Sequence, residues 1–544
     1  MMATLESNIY LKSTLANLPR LLGQLNRNPL SKSYGSFDRA YWHYRAGDIS
    51  NARYQEAVLT LALLYANDFT GNHYYNNRQI LEWINASLEF LMSIQNKDGS
   101  FNEWYVNEHS FVATAFAAAV LAEVMEILGE RKVKQYGRCL ACLKRAAAWL
   151  SRRTEEVVFN QLAGSVLALA KISRLTGEQS FDRAAKRKME IIIERQSPEG
   201  WWSEYGGPDF GYLSLMADYL AKYYFLEKNE QVLTALKKAN AFLVNFLHPN
   251  LTAGGEYMSR NTEYIIPSGF AYLTELDENA RLIIDFNLAA VTVGAGIGPN
   301  SLDDRYICYI LYNWLEAGIH LSQTGYRQSP EMEKFLADRR LDIFFKDSGI
   351  RVMQNHKYYL VANLYKGGTF RLYGRGKAYL DSGAEIKVSG RGYIANALDC
   401  GNEVSREANK MSSAGWLKPV SEKLMSTPTM IIFKTWQLIF GKIGFLQTRL
   451  KNFLRKEIIS YHQPSGVRFR REFVLTDNSL EVTDEIGAPV SEHDFITGLK
   501  TSYNFIPSSK YFSIQEINNQ SGLAEKKYFL DGSKTTLRRV FYFN

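Results

Sequence analysis

The sequence predicts an N-terminal (α/α) toroid of helical hairpins followed by an antiparallel β-sandwich, that is, a multidomain α+β protein. From residue 51 to about residue 323, apolar residues recur three and four positions apart, which is typical of amphipathic helices. Beyond about residue 340 the period changes to two, and Gly, Asn, Asp and Ser turns separate the runs. Helical hairpins that repeat at a nearly constant step indicate a toroid or a solenoid.

The helical part is expected to contain a leading segment and the toroid proper. Residues 1–50 hold a short helix at 11–25 and an aromatic loop at 41–45, and the toroid covers 51–325. The expected toroid helices are 54–65, 80–94, 111–128, 139–150, 162–175, 181–193, 212–226, 232–247, 265–286 and 307–321.

A ring closure is suggested by the residues at which alternate helices begin. The polar residues at or just before these starts recur roughly every 50 positions. They are Arg53, His109, Asn160, Tyr212, Glu263 and Arg305. Inner helices of a toroid run in one direction, so these side chains are expected at one mouth. Helix N-termini carry unpaired N–H groups and positive potential, which favours binding of carboxylates there.

The C-terminal part is expected to be a sandwich over 345–544, after a linker near 324–345. The strand-like runs are 349–354, 358–364, 369–373, 385–388, 467–474, 480–484 and 537–543. One segment, 428–456, does not alternate and is instead apolar and then amphipathic and basic. Lys434 and Lys442 interrupt it, so it is too polar for a membrane span. A helical insertion on the sandwich, or a partner contact, is favoured over a peripheral helix on anionic lipid.

Composition limits the partners and the compartment. The net charge is +8, and no basic run or nucleic-acid motif occurs, so we expect no DNA or RNA partner. The first ten residues lack a signal peptide's basic and apolar regions, so we expect a cytoplasmic protein, at the membrane surface if 428–456 binds lipid, or a periplasmic one if a leader is missing. Cys139 and Cys142 lie within a helical run and indicate structural thiols, so we expect no metal and no cofactor.

Two segments carry a resemblance to a known family. Asn160 opens an apolar helix, and Tyr212 opens the next inner helix after the loop 196–211, which is rich in Gly, aromatic and acidic residues. Together with the order of toroid and sandwich, over about 50–540, they resemble the heparinase II/III-like and alginate-lyase-like polysaccharide lyases. The resemblance implies β-elimination on a uronic-acid-containing polysaccharide without a cofactor, and a role in exopolysaccharide or capsule metabolism.

The resemblance also implies residue roles. Asn160 would neutralise the substrate carboxylate, because amide donors stabilise the charge that develops when the C5 proton leaves, and Tyr212 would transfer a proton. Gln161 stands where the family often has His, so His109 becomes the candidate second base. The remaining candidates for binding an acidic polysaccharide or oligosaccharide are Glu108, Gln161, Trp202, Tyr205, Asp209, Glu256, Arg260, Glu263, Tyr264 and His356.

Other functions stay open at this stage. A toroid glycoside hydrolase needs two carboxylic acids, and Glu108, Asp209, Glu256 and Glu263 are available. The patterns at 95–101 and 196–202 are similar to the repeats of terpene cyclases, but the acidic motif of those enzymes is absent from the sequence. A third alternative is a polysaccharide-binding or assembly protein that does not cut its ligand, because a fold does not fix a function.

Overall fold

The computed structural model describes residues 8–374, 376–420, 426–441, 446, 449–450, 465–496 and 525–543. Helices occupy the chain as far as Asp338, and strands begin at Leu341. The expected fold class, a helical toroid followed by antiparallel sheets, is confirmed.

The elements have these bounds. The helices are α1 (Ile9–Gln24), α2 (Arg39–Trp42), α3 (Val58–Ala66), α4 (Arg78–Ser93), α5 (Phe111–Leu128), α6 (Tyr136–Ser151), α7 (Phe159–Thr176), α8 (Gln179–Glu194), α9 (Phe210–Glu227), α10 (Glu230–Leu243), α11 (Pro267–Leu273), α12 (Glu278–Thr292), α13 (Asp304–Gln323), α14 (Glu331–Asp338) and α15 (Thr427–Phe440). The strands are β1 (Leu341–Phe345), β2 (Ile350–Gln354), β3 (Tyr359–Asn363), β4 (Thr369–Gly374), β5 (Lys377–Asp381), β6 (Glu385–Val388), β7 (Arg391–Ile394), β8 (Glu403–Arg406), β9 (Lys410–Trp416), β10 (Lys418–Pro419), β11 (Arg468–Leu475), β12 (Ser479–Ile486), β13 (Phe495–Ile496), β14 (Glu525–Asp531) and β15 (Lys534–Tyr542).

The inner layer of the toroid is a closed ring. Helices α3, α5, α7, α9, α11 and α13 each pack on the next, and α13 packs back on α3. Close packing depends on small residues: a Cβ on Gly164 of α7 would lie 2.4 Å from the Phe116 ring of α5. Helix α5 is long and apolar enough to cross a membrane by composition, but most of it is buried inside this ring.

The leading helix α1 lies outside the inner ring and packs against α13 of that ring and against α12. The Tyr10 hydroxyl donates to Asn287 Oδ1 at 2.9 Å, and Asn8 Nδ2 donates to the Gly318 carbonyl at 2.8 Å. The first described residues of the chain therefore complete the last helical hairpin.

Two expectations for the end of the toroid were wrong. The run 265–286, expected as one helix, contains α11 and the first part of α12, because Asp277 ends the turn between them and accepts from Asn279 N at 3.2 Å as the cap of α12. The segment expected as a linker near 324–345 contains helix α14 and strand β1.

The strands form three antiparallel sheets in the described residues. Strands β1 to β5 form one sheet in sequence order, the second has the order β10-β7-β6-β13, and the third has β14-β15-β12-β11-β9-β8. The first sheet is covered on both faces: Leu360 and Leu372 face a core shared with the third sheet, while Val361 and Tyr373 join the toroid core. The two-residue period of a strand thus turns alternate side chains of β4 towards the toroid.

Candidate functional site

The N-terminal ends of the inner helices meet at one mouth of the toroid. The caps of α5, α9 and α13 are Ser110, Asp209 and Asp303, whose side-chain oxygens accept from backbone N–H groups of the first helical turn. Arg53 lies in a 3₁₀ turn, Ala52–Ala57, that leads into α3 and is capped by Asn51.

Asp209 fixes the start of α9 to the loop before α11. Its Oδ1 accepts from Tyr212 N at 3.2 Å, and its Oδ2 accepts from Arg260 N at 3.0 Å and Thr262 N at 3.3 Å. The Thr262 hydroxyl also donates to this carboxylate. Burial raises the pKa of Asp209, while these hydrogen bonds oppose the rise. Asp209 therefore positions Tyr212 and Arg260 next to each other.

Tyr212 is half-buried among other groups of the mouth. Burial and then the neighbouring Tyr306 raise its pKa well above the ordinary value, and the Arg260 guanidinium opposes this rise. The hydroxyl is therefore held in its protonated form. The Tyr306 ring also lies 6.1 Å from the Tyr264 ring, centroid to centroid, so the three tyrosines are close neighbours. Arg260 stacks over the Tyr205 ring with its Cζ 4.6 Å from the centroid.

Asn160 is paired with a carboxyl group in the loop that precedes α9. Its backbone N–H donates to Glu204 Oε1 at 3.0 Å and its Nδ2 donates to Glu204 Oε2 at 2.8 Å. Glu204 is 1% exposed. Burial raises the pKa of Glu204 well above its ordinary value, although the hydrogen bonds from Asn160 oppose the rise. Glu204 thus sets the orientation of the Asn160 amide.

Arg53 brings a second guanidinium group to the mouth. Its Nε lies 2.8 Å from Glu56 Oε1, and its Cζ lies 4.2 Å from the centroid of the Tyr309 ring. Although burial alone would lower the pKa of Arg53, the Glu56 and Glu103 carboxylates raise it well above the ordinary value. Arg53 therefore stays charged.

Two of the candidate carboxylates bind an arginine of the sandwich. Arg371 of β4 donates through Nε to Glu256 Oε2 at 2.8 Å, and its Nη2 also donates to Glu263. The Arg371 side chain is 3% exposed, and the side chains of Glu256 and Glu263 are 3% and 13% exposed. This ion triad joins the toroid loop before α11 to the first sheet.

His109 and Glu108 lie in the loop before α5. His109 Nδ1 is 2.9 Å from Asp98 Oδ2 and 2.8 Å from Ser100 Oγ. Asp98 also accepts from Trp149 Nε1 of the outer helix α6 at 2.9 Å, so the His109 ring is held beside that helix. Burial would raise the pKa of Asp98, but hydrogen bonds from His109 and Ser100 hold it below the ordinary value.

Glu108 organises its own loop, since Oε2 accepts from Glu103 N and Trp104 N, both at 2.7 Å.

The remaining candidates, Gln161, Trp202 and His356, lie in three different environments. Gln161 follows Asn160 on α7, and its buried Oε1 has no hydrogen-bond partner in the described structure. Trp202 is 1% exposed and its indole donates to the Ile192 carbonyl at 2.7 Å, so protein encloses the ring.

His356 is exposed in the turn between β2 and β3. One contact of this hairpin with the toroid is at its other end, where Asn363 Nδ2 donates to the Tyr257 carbonyl at 2.7 Å. The structure therefore brings Tyr205, Tyr212, Arg260 and Tyr264 together and does not bring His356 to them.

The structure adds residues that the sequence analysis did not select. Glu204 lies eight positions before Tyr212 in the loop already singled out, but nothing in the sequence separates it from Glu199. Tyr306 follows Arg305 at the start of α13, so the helix-start rule could have found it. Arg371 gives no local signal, because it reaches the mouth from a strand of another domain.

No cluster of three or more His, Cys, Asp or Glu side chains that could hold a metal occurs in the described part of the chain. Cys139 and Cys142 are buried in α6, and burial raises the pKa of their thiols to about 11 and about 12. These thiols are therefore protonated and sit in the helical core, as expected of structural cysteines.

Comparison with known proteins gives a fold and no family. No family model and no curated protein matches the sequence. Among solved structures, a Streptomyces coelicolor A3 chondroitin AC lyase in complex with chondroitin sulphate is similar, with a TM-score of 0.53 and 11% identity over 88% of this chain and 70% of that one. A heparinase III has a TM-score of 0.46 and 10% identity over 88% of this chain and 76% of that one. A heparin-specific unsaturated glucuronyl hydrolase covers only 58% of this chain, with a TM-score of 0.39 and 12% identity. The expected polysaccharide-lyase-like fold is confirmed by the first of these structures.

Proposed function

We propose that this chain, which has the fold of a chondroitin AC lyase, cleaves a uronic-acid-containing polysaccharide by β-elimination at the toroid mouth. The observation that carries the proposal is the set of groups at this mouth. A tyrosine hydroxyl, an amide fixed by a buried carboxyl group and two guanidinium groups lie at or near the starts of the inner helices: Tyr212, Asn160, Arg53 and Arg260. An acidic polysaccharide is therefore the proposed partner.

These groups match the charges that an elimination creates. The C5–H electrons form the C4–C5 double bond, the C4–O bond breaks, and the leaving oxygen takes up a proton. Negative charge develops on the sugar carboxylate as the C5 proton leaves, and the Asn160 amide and the Arg260 guanidinium stabilise it there. Preorganised donors of this kind are typically worth about 10²–10³ in rate each.

Tyr212 supplies the proton to the leaving oxygen in this scheme. A general acid must carry its proton before the reaction, and a tyrosine hydroxyl does so at neutral pH. We assign the removal of the C5 proton to His109, which would act as the general base. When its Nδ1–H donates to Asp98, the Nε2 atom of the imidazole is left as the acceptor.

The carboxylates that a hydrolase would need are engaged elsewhere. Glu108 accepts from two backbone N–H groups, Asp209 caps α9, and Glu256 and Glu263 bind Arg371. Glu204 has the raised pKa of a general acid, but it is buried with both oxygens bonded to Asn160. This pattern favours elimination over hydrolysis.

The experiment is an assay of the purified chain on chondroitin sulfate, heparan sulfate, hyaluronan and alginate. Ultraviolet absorbance of the new C4–C5 double bond and the number of new reducing ends are both recorded. Elimination raises both signals, and Asn160→Ala should lower the rate by about 10²–10³. New reducing ends without the absorbance would overturn the lyase in favour of a hydrolase. Binding of a polymer without either signal would identify a binding or assembly protein.

His109→Ala is the second part of this experiment, because it tests the assignment of the base. A general base typically contributes about 10²–10⁴ in rate, so the variant should lose most activity. An unchanged rate would remove His109 from the mechanism and leave Tyr212 as both base and acid. The proposed role in exopolysaccharide or capsule metabolism depends on which polymer is cut.

A further inference from the structure

Helix α15 lies over the mouth side of the toroid, although it belongs in sequence to the sandwich domain, between β10 and β11. Lys434 Nζ is 2.7 Å from Asp48 Oδ2, and the Phe433 ring is 5.4 Å from the Tyr105 ring. The Gln437 carbonyl accepts from Asn107 Nδ2 at 3.3 Å. Asp48, Tyr105 and Asn107 lie in the loops that lead into the inner helices at the mouth. Helix α15 and the candidate site therefore share one side of the molecule.

The orientation of α15 is the reverse of that of an ordinary surface helix. Its inward face presents Lys434 and Gln437, and the buried Gln437 amide has no hydrogen-bond partner among the described residues. The solvent side carries four large aliphatic side chains that are 59–69% exposed: Ile431, Ile432, Leu438 and Ile439. At 3.6 residues per turn these four lie on one side of the helix. A patch of this kind on a soluble surface indicates an interaction site.

Charge identifies the occupant of this face. The sequence from 427 to 456 contains no acidic residue and six basic ones, Lys434, Lys442, Arg449, Lys451, Arg455 and Lys456. A second copy of the chain would bring the same positive charges against each other. An anionic lipid surface attracts them, and each Lys or Arg near such a surface adds to the binding.

We propose that α15 is an interfacial helix that docks the mouth side of the toroid on an anionic lipid bilayer. The four aliphatic side chains enter the boundary between headgroups and acyl chains, and the net positive charge of the sequence at 427–456 attracts the helix to an anionic surface. The candidate site then opens beside the membrane, where it meets polymer held at that surface. The docking does not depend on the proposed lyase activity.

The test is sedimentation of the full chain with vesicles of phosphatidylserine and phosphatidylcholine, and with vesicles of phosphatidylcholine alone. We expect the protein to pellet with the anionic vesicles only, and to be released as salt is raised. The double variant Ile431→Ser and Ile439→Ser should weaken binding by about tenfold or more, because two large apolar side chains no longer enter the interface. Circular dichroism checks that the variant is folded.

The matched control is Phe529→Ser with Leu530→Ser, which removes two equally apolar side chains, each 55% exposed, from edge strand β14. This control should bind vesicles as the wild type does. Failure of the wild type to pellet, or equal loss in both double variants, would overturn the proposal. A dimer that forms without lipid, and that is lost only in the Ile431→Ser and Ile439→Ser double variant, would identify a second copy as the occupant. Activity on soluble oligosaccharides, measured without vesicles, distinguishes failure of docking from failure of the lyase.

Discussion

Replacing Arg371 by Met tests the ion triad that joins the toroid to the sandwich. The substitution keeps an unbranched side chain and removes the charge that Glu256 and Glu263 share. All three side chains are largely enclosed, so two carboxylates would remain close together without their cation. Breaking a buried ion pair in this way typically costs about 3–5 kcal/mol of unfolding free energy.

The matched control is Arg468→Met, because Arg468 forms an ion pair with Glu403 on the surface of the same domain. The side chains of this pair are 53% and 74% exposed, and such a pair is typically worth ~0–1 kcal/mol. Chemical denaturation, monitored by tryptophan fluorescence, measures how much unfolding free energy each variant loses relative to the wild type. A triple variant that also carries Glu256→Gln and Glu263→Gln should recover part of the stability lost in Arg371→Met.

An Arg371→Met variant as stable as the control would refute the reasoning. It would mean that the carboxylates are protonated or hydrated without Arg371, and that they are available for chemistry at the mouth. That result would reopen the hydrolase alternative, in which Glu256 and Glu263 act as acid and base.

Three further predictions concern buried groups and the mouth. Because the pKa of Glu204 is raised in the folded protein, the unfolding free energy of the wild type should fall relative to that of Glu204→Gln as the pH rises above 4.5, the ordinary pKa of a glutamate. Denaturation at a series of pH values measures this. Burial lowers the pKa of Lys366 to about 7. Between pH 7 and 10 the unfolding free energy of the wild type should therefore rise by up to about 1.4 kcal/mol per pH unit relative to that of Lys366→Met. Parallel plots of unfolding free energy against pH would contradict this. Arg260→Ala should lower kcat/KM by about 10²–10³, whereas Arg305→Ala, on the exposed rim, should not; equal losses would remove the assigned role of Arg260.

The helices and most strands could be predicted from the sequence because their periodicity is local. Helix α9 begins within two residues of the expected position, and β6 has the expected bounds. The break between α11 and α12 was missed because apolar residues continue on both sides of it. Asp277, which caps α12, was a signal present in the sequence.

The candidate site could be predicted only in part. The regular spacing of helix starts indicated that Asn160 and Tyr212 share a mouth, because inner helices of a toroid run in one direction. Their partners depend on tertiary contacts: Glu204 meets Asn160 across 44 residues, and Arg371 meets Glu256 across 115. No periodic pattern encodes such contacts. Of the helical, basic segment expected at 428–456, the structure describes α15 over 427–440, and residues 442–445, 447–448 and 451–456 lie outside the described residues.

The measurement that tests the central claim most directly compares wild type, Tyr212→Phe and Tyr223→Phe on the same uronic-acid polymer. Tyr223 lies on the same helix, is 2% exposed and is three turns further from the mouth. Ultraviolet absorbance of the C4–C5 double bond should rise with the wild type and with Tyr223→Phe. The rate should fall by about 10²–10⁴ with Tyr212→Phe, because the proton donor is lost. Equal rates for wild type and Tyr212→Phe would contradict the account.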